Sequence, residues 1–294
     1  MRPPIDSGTV LITGASSGVG REIARQLAYR ARTLVLVARS AERLETLRDE
    51  LFARNPTLGV VVEQCDLAQP EDVDALLDSL RRNLIHVDVL VNCAGLGDYG
   101  LYERESWSRI HQMMRVNLTA PLLLAHRLVR GMVERKRGGI LTVGAAGSNS
   151  FAPGMAVYCA TRRFLDGFTE SLRLELLGTG VVVTQVSPGA VDTRVDEQAG
   201  AEDQVAPPPA WMRISAARCA FEAIAAFERG LPRVHPGLMH RWMTRLSAIL
   251  PRRVRRASGL GAARRLRHGA PELEPSLHPQ PTLDLAFAPV PEAR

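Results

Sequence analysis

The stretch Thr13-Gly14-Ala15-Ser16-Ser17-Gly18-Val19-Gly20 constrains the fold more than any other part of the chain. It follows a short apolar run, Thr9-Val10-Leu11-Ile12, and leads into apolar positions at helical spacing, Ile23, Ala24, Leu27 and Ala28. A strand that passes into a helix through three glycines offers backbone N–H groups and a helix N-terminus to a pyrophosphate. Glycine serves there for the tight turn, for close approach of the phosphates and for helix–strand packing. A glycine triplet alone is a weak signal, but after the first strand of a βαβ unit it points to a dinucleotide site.

The rest of the chain supplies that context. Strands are predicted over Thr33 to Ala38, Gly59 to Gln64, Val87 to Val91, Gly139 to Val143 and Val181 to Val186. Between them lie helical patterns over Ala41 to Ala53, Glu71 to Leu80, Trp107 to Arg135 and Val157 to Leu177. Continuous apolar strands alternating with amphipathic helices predict a doubly wound α/β Rossmann sheet, parallel, with helices on both faces. This domain is expected over residues 1–230, including a last helix from about Ser215 to Arg229. It is followed by a helical, basic amphipathic extension over 231–268 and a proline-rich tail over 269–294, read as disordered.

Composition narrows the function classes. At 46% hydrophobic residues the chain can bury a core. The four cysteines have no CxxC spacing and the seven histidines no HExxH-like pairing, so neither a disulfide framework nor a metal site is expected. The first eleven residues lack the basic and apolar regions of a signal peptide, and no run of about 18 uncharged apolar residues occurs. A cytoplasmic protein is expected. The net charge of +6 is unevenly placed: eleven arginines lie between Arg229 and Arg267 with no acidic residue among them, which leaves 26 basic against 31 acidic residues elsewhere.

At the end of the second strand, Val37-Ala38-Arg39-Ser40 carries no carboxylate to hydrogen-bond the ribose hydroxyls and repel a 2′-phosphate. Arg39 can hold that phosphate through its guanidinium and stack on adenine, so the expected cofactor is NADP(H). After the third strand, Asp66 with Leu67 offers a carboxylate suited to the adenine amino group; the alternative is a cap for the helix starting near Pro70.

The glycine loop, Asn92-Cys93-Ala94-Gly95, Val116-Asn117, Tyr158 and Ser187-Pro188-Gly189 together resemble, in order and spacing, the motifs of the short-chain dehydrogenase/reductase family over roughly residues 8 to 230. The resemblance implies NAD(P)-dependent interconversion of a carbonyl and an alcohol at the carboxyl ends of the strands. It implies Tyr158 as acid/base, supported by a cation, because a phenol near pKa ~10 is a poor base at neutrality. Asn117 matches the asparagine that opens a helix to organise the proton relay. Asn92, Ala94 and Gly95 match a motif that stabilises the sheet and approaches the nicotinamide side; for Asn92 the structural role is at least as strong. Pro188, Gly189 and Thr193 match the segment that closes over the nicotinamide. The expected cofactor contacts are therefore Gly14, Ser16, Ser17, Gly18, Val19, Gly20, Arg39, Asp66, Leu67, Asn92, Ala94, Gly95, Tyr158, Pro188, Gly189 and Thr193.

Two positions depart from the family pattern. Its lysine, one helical turn after the tyrosine, is Arg162, which keeps the charge but not the compact ammonium. Lys136 is the only lysine in the chain, so arginine here fits a general replacement. The family's serine, thirteen residues before the tyrosine, is Ala145; loss of one such donor can cost ~10²–10³ in rate, and Ser148 and Ser150 lie close enough in sequence to substitute. An oxidoreductase with Tyr158, Arg162 and Asn117 as its catalytic group is the first reading, and a non-catalytic NADP(H) sensor or scaffold the second.

Trp211 and Met212 fall in the family's variable substrate region and are expected to line an apolar pocket for a carbonyl or alcohol substrate, lipid-like in character. Leu238, Met239, Trp242, Met243, Leu246, Ile249 and Leu250 recur at helical spacing beside Arg241 and Arg245. Three roles fit that pattern, in descending order: cover for the pocket or an oligomer interface, a peripheral membrane contact through 238–268, and nucleic acid, which lack of aromatic interleaving argues against. A homo-oligomer without nucleic acid is expected.

Overall fold

The computed structural model describes residues 2–145, 151–192, 209–249 and 251–268. The elements in order are β1 (Thr9–Thr13), α1 (Gly18–Leu27), β2 (Thr33–Ala38), α2 (Ala41–Arg54), β3 (Gly59–Gln64), α3 (Pro70–Arg82) and β4 (Val89–Asn92). Then come α4 (Trp107–Met114), a π-helical turn (Arg115–Thr119), α5 (Ala120–Glu134), β5 (Gly138–Val143), α6 (Ala156–Glu175) and β6 (Val181–Val186). Short strands β7 (Val191–Asp192) and β8 (Ile214–Ser215) precede α7 (Ala216–Glu228), β9 (Arg233–Val234), α8 (Leu238–Ile249) and α9 (Arg252–His268).

Seven strands form one parallel sheet in the order β3-β2-β1-β4-β5-β6-β9. The order reverses between β1 and β4, where a doubly wound sheet opens its crevice. The side-chain alternation of each strand divides the core in two. Val10, Ile12, Leu34, Leu36, Val89 and Val91 pack on the face covered by α1, α2 and α7, through Ile23, Leu47 and Phe227 among others. Leu11, Val35, Val37 and Leu90 pack on the opposite face, with Leu76 of α3, Leu124 of α5 and Leu176 at the end of α6. Burial on both faces is why these strands read as unbroken apolar runs.

Three differences from the sequence expectation have physical reasons. The helical stretch that periodicity runs over Trp107 to Arg135 is two helices joined by a π turn at Asn117, the opening that the family resemblance implied, because Asn117 turns inward to bond backbone across the site. The sheet does not end at residue 230: β9 pairs Gln185↔Arg233 and Val186↔Val234, so the domain runs a few residues further. The apolar stripe of α8 faces outward, with Leu238, Met239, Trp242, Met243 and Leu246 all exposed, whereas His240, Arg241 and Thr244 face the body. Leu238 and Met239 of the stripe border a pocket beside Gly189, and the helix docks on the body through a ring and hydrogen bonds. Arg241 pairs with Glu222 of α7 at 3.0 Å.

Candidate active site

The glycine loop lies at the carboxyl end of β1. Gly14 (φ +69°) and Gly18 (φ +54°) adopt the left-handed region that side chains disfavour. A Cβ on Gly14 would lie 2.9 Å from the Ala94 Cα, and one on Gly20 would lie 2.5 Å from the Gly14 carbonyl oxygen. The close spacing of loop, helix and β4 end thus depends on these residues having no side chain. The loop is tied down by Thr13, whose Oγ1 accepts from the N–H groups of Cys93 (3.0 Å) and Ala94 (3.2 Å). Helix α1 starts after Ser17, whose side chain makes no cap bond, and its first turn carries no acidic residue. Its N-terminus, with Ser16, Ser17, Gly18 and Val19, therefore suits an anionic diphosphate.

Arg39, at the end of β2, is exposed and lines a groove of about 510 Å³ together with Asp66. Asp66 does not cap the following helix, which starts at Pro70 after Gln69. Its Oδ1 accepts from the Ala68 N–H at 3.0 Å, and its own N–H donates to Asp72 at 2.8 Å. The carboxylate is thereby held in a fixed turn at the strand end, with buried Leu67 beside it. Asn92 is buried; its Nδ2 donates to the Pro121 carbonyl at 3.4 Å, a contact that joins β4 to α5, and among the described residues its Oδ1 has no hydrogen-bond partner.

Asn117 is fully buried in the π turn. Its Oδ1 accepts from the Leu96 N–H (2.8 Å) and its Nδ2 donates to the Leu96 carbonyl (2.9 Å), so it pairs with that backbone as a strand neighbour would. The same Nδ2 reaches Thr161 Oγ1 at 3.1 Å, and Thr161 donates to the Tyr158 carbonyl at 2.7 Å. A chain of polar contacts thus connects the π turn to the helix that carries Tyr158. Thr161 and Leu96 are members that the sequence reading missed; a hydroxyl three residues after the tyrosine was the available signal.

Tyr158 is half-buried in the first turn of α6 and Arg162 follows one turn later, 5% exposed. The guanidinium carbon lies 5.1 Å from the Tyr158 ring centroid, and Nη1 donates to the Val143 carbonyl at 3.4 Å. Among the described residues its Nε has no hydrogen-bond partner. The head rests directly on Gly95: a Cβ there would collide with Nη2 and lie 3.0 Å from Cζ. The glycine that the sequence assigned to the cofactor also makes room for the large cation. Burial pushes the neighbouring Cys93 thiol up to about 12, with Arg162 opposing. Ala145 follows β5 where the family serine was expected; Ser148, Ser150 and Thr193 lie outside the described residues.

Pro188 and Gly189 follow β6, anchored by the Ser187 N–H to the Val234 carbonyl at 2.9 Å. The His240 ring of α8 lies flat against Gly189, where any Cβ would overlap it. Burial lowers the pKa of both His240 and His235, the latter bonded to the Ser187 carbonyl at 3.2 Å. Beside this contact is a pocket of about 320 Å³, whose lining includes Gly189, Trp211, Met212, Leu238, Met239 and Arg213. Trp211 and Met212 thus come together as expected, with α8 as a neighbour the sequence did not specify. Helix α9 passes on to the other side of the site: Leu266 meets Gly154, Arg267 pairs with Glu103, and the Gly100 N–H bonds the Gly154 carbonyl at 2.9 Å.

The sequence model of the short chain dehydrogenase family matches residues 8–204, and the chain belongs to this family of oxidoreductases. It is 32% identical over 196 residues to an uncharacterized oxidoreductase of Staphylococcus saprophyticus, an alignment covering 66% of this chain and 78% of the relative. It is 36% identical over 189 residues to a sulfoacetaldehyde reductase of Chromohalobacter salexigens, covering 63% and 72% respectively. Among solved structures it is similar to a short-chain dehydrogenase from Sphingobium yanoikuyae in complex with NADPH. The TM-score is 0.72 at 29% identity, over 92% of this chain and 98% of that one.

Proposed function

We propose that the chain is an NADP(H)-dependent oxidoreductase that interconverts a carbonyl and an alcohol, with Tyr158 as acid/base. The observation that carries this is the buried Arg162 guanidinium set 5.1 Å from the Tyr158 ring, at the carboxyl ends of β4 and β5. Tyr158 is the group that would give or take the proton on the substrate oxygen, with the Arg162 cation beside its ring. Asn117 keeps the π turn open and fixes Leu96 and Thr161 beside the tyrosine's helix. A bound nicotinamide cofactor supplies the hydride donor or acceptor. Gly14 to Gly20 hold its diphosphate, Arg39 its 2′-phosphate and Asp66 its adenine. The NADPH bound to the Sphingobium relative and a second-strand end that reads Val37-Ala38-Arg39-Ser40, without a carboxylate, both support the phosphorylated cofactor. The pocket beside Gly189, with Trp211, Met212, Leu238 and Met239 in its lining, favours a substrate with an apolar body.

Stopped-flow and steady-state assays with NADPH across ketones, aldehydes and ketoacyl thioesters test the reading. Tyr158→Phe is expected to lower kcat by ~10²–10⁴ with the Kd for NADPH unchanged. Arg39→Ala is expected to weaken NADPH about tenfold and leave NADH nearly unaffected, the loss of one charge-assisted contact at an exposed site. A second reading, a binding protein without turnover, is favoured by Ala145, which brings no hydroxyl to the end of β5. NADPH binding without oxidation of any substrate, unchanged by Tyr158→Phe, would establish that alternative.

A further inference from the structure

Among the described residues, the apolar stripe of α8 is exposed. Leu238, Met239, Trp242, Met243 and Leu246 are exposed, Trp242 at 66% and Leu246 at 63%. At 3.6 residues per turn they share one arc of about 140°, with Arg245 at its border. Trp211, 64% exposed, lies in the same pocket wall as Leu238 and Met239 and extends the patch. Helix α9 adds exposed Val254 and Leu260 among exposed Arg253, Arg256, Arg264 and Arg265.

We propose that α8 and α9 form a docking face for the surface of an anionic phospholipid bilayer. Charge decides between occupants. The eleven arginines from Arg229 to Arg267 have no acidic residue among them; Arg233, Arg241 and Arg267 are drawn back to the body by pairs with Asp166, Glu222 and Glu103, while Arg245, Arg253, Arg256, Arg264 and Arg265 are exposed. A second copy meeting the same patch would bring like charges together, a cost that anionic headgroups convert into attraction. A nucleic-acid backbone would satisfy the arginines but leave Leu238, Met239, Trp242 and Leu246 in water. A bilayer satisfies both sets: apolar side chains enter the acyl boundary, tryptophan sits at headgroup level, and arginines meet the phosphates. Contact is peripheral, since among the described residues no helix is long and apolar enough to cross a membrane.

The placement on the fold adds a consequence. Helix α8 touches the Pro188-Gly189 side of the site through His240, and α9 touches the Gly154 side through Leu266. A membrane bound to this face would thus lie next to the residues that contact Gly189 and Gly154. The docking face stands independently of turnover, because it rests on exposure and charge alone.

The test is co-sedimentation of the full chain with phosphatidylcholine vesicles, with and without one quarter phosphatidylglycerol, at low and high salt. The expected result is sedimentation with the phosphatidylglycerol vesicles only, reversed by salt. The exposed pair Arg253→Glu with Arg256→Glu is expected to weaken binding by more than the roughly thirty-fold that neutralising two arginines would cost. Trp242→Ser with Leu246→Ser is expected to abolish it. NADPH binding and the unfolding transition, measured on each variant, remain those of the parent, which separates loss of docking from loss of folding or of the cofactor site. Failure to sediment with phosphatidylglycerol vesicles, or sedimentation indifferent to both variants, overturns the proposal. A dimer by analytical ultracentrifugation that Trp242→Ser with Leu246→Ser dissociates, without vesicle binding, assigns the face to a second copy instead.

Discussion

The contact between Gly95 and Arg162 can be tested without knowing a substrate. Gly95 is not among the glycines with positive φ, so Gly95→Ala adds a methyl group and no backbone strain. That methyl would collide with Nη2 and lie 3.0 Å from Cζ, so the guanidinium must retreat by about 1 Å or more to reach ordinary contact. Retreat sacrifices the long hydrogen bond to the Val143 carbonyl and the approach to the Tyr158 ring. A desolvated cation–π contact and a weak charged hydrogen bond together are worth about 2 kcal/mol, which for a domain of this size lowers Tm by roughly 4–8 °C. Arg162→Lys removes Nη2, so Gly95→Ala in that background should cost under about 0.5 kcal/mol. Urea unfolding of the four proteins gives the coupling energy, expected near 1.5 kcal/mol with equal m-values. Additive costs in the two backgrounds would refute the placement of the cation on Gly95. If the proposed chemistry holds, kcat falls with Gly95→Ala and is restored in the double variant.

Other outcomes follow from the same geometry. Asn117→Leu leaves the N–H and carbonyl of Leu96 buried without partners and should cost about 2–5 kcal/mol, read from chemical denaturation, even with no ligand present. Gly14→Ala, at φ +69° and 2.9 Å from backbone of Ala94, should lower stability by about 2–4 kcal/mol and weaken NADPH binding measured by fluorescence titration. His235 and His240 are held below the usual imidazole range by burial, so the unfolded chain takes up protons first as pH falls below about 6.5. Stability is full above that value and declines beneath it; His240→Gln should flatten the slope of Tm between pH 7.5 and 5.5, and an unchanged slope would exclude His240 as a contributor. Burial pushes the Cys65 and Cys219 thiols up to about 12, so neither should react with a thiol reagent at pH 8 until the protein unfolds, as mass spectrometry of labelled peptides will report.

What was legible in the sequence is what local rules determine. Strand alternation, the glycine loop and the family motifs each rest on residues close together in the chain, and they recovered the six sheet strands from β1 to β6 and the helix that carries Tyr158. The helix opening at Asn117 was legible only through the family resemblance, not from periodicity, because it is stabilised by Leu96 and Thr161, 21 and 44 residues away in sequence. The departure at Arg162 was seen, but its accommodation was not, since room for a guanidinium depends on the missing side chain of Gly95. Periodicity identified the apolar stripe of α8 and could not say which way it faces. Its orientation is decided by His240 against Gly189 and by Arg241 with Glu222, contacts no helical pattern encodes.

β9 contributes only two residues, yet it occupies the outer edge of β6, and the adjoining backbone bonds from Gln185 to the Pro232 carbonyl and from Ser187 to the Val234 carbonyl extend that cover. The basic extension therefore begins as part of the sheet. A truncation ending before Val234 would strip the border from β6 and present open N–H and C=O groups to any neighbouring chain, the usual start of edge-to-edge aggregation. One ending just after His235 keeps the border closed and removes only the helices.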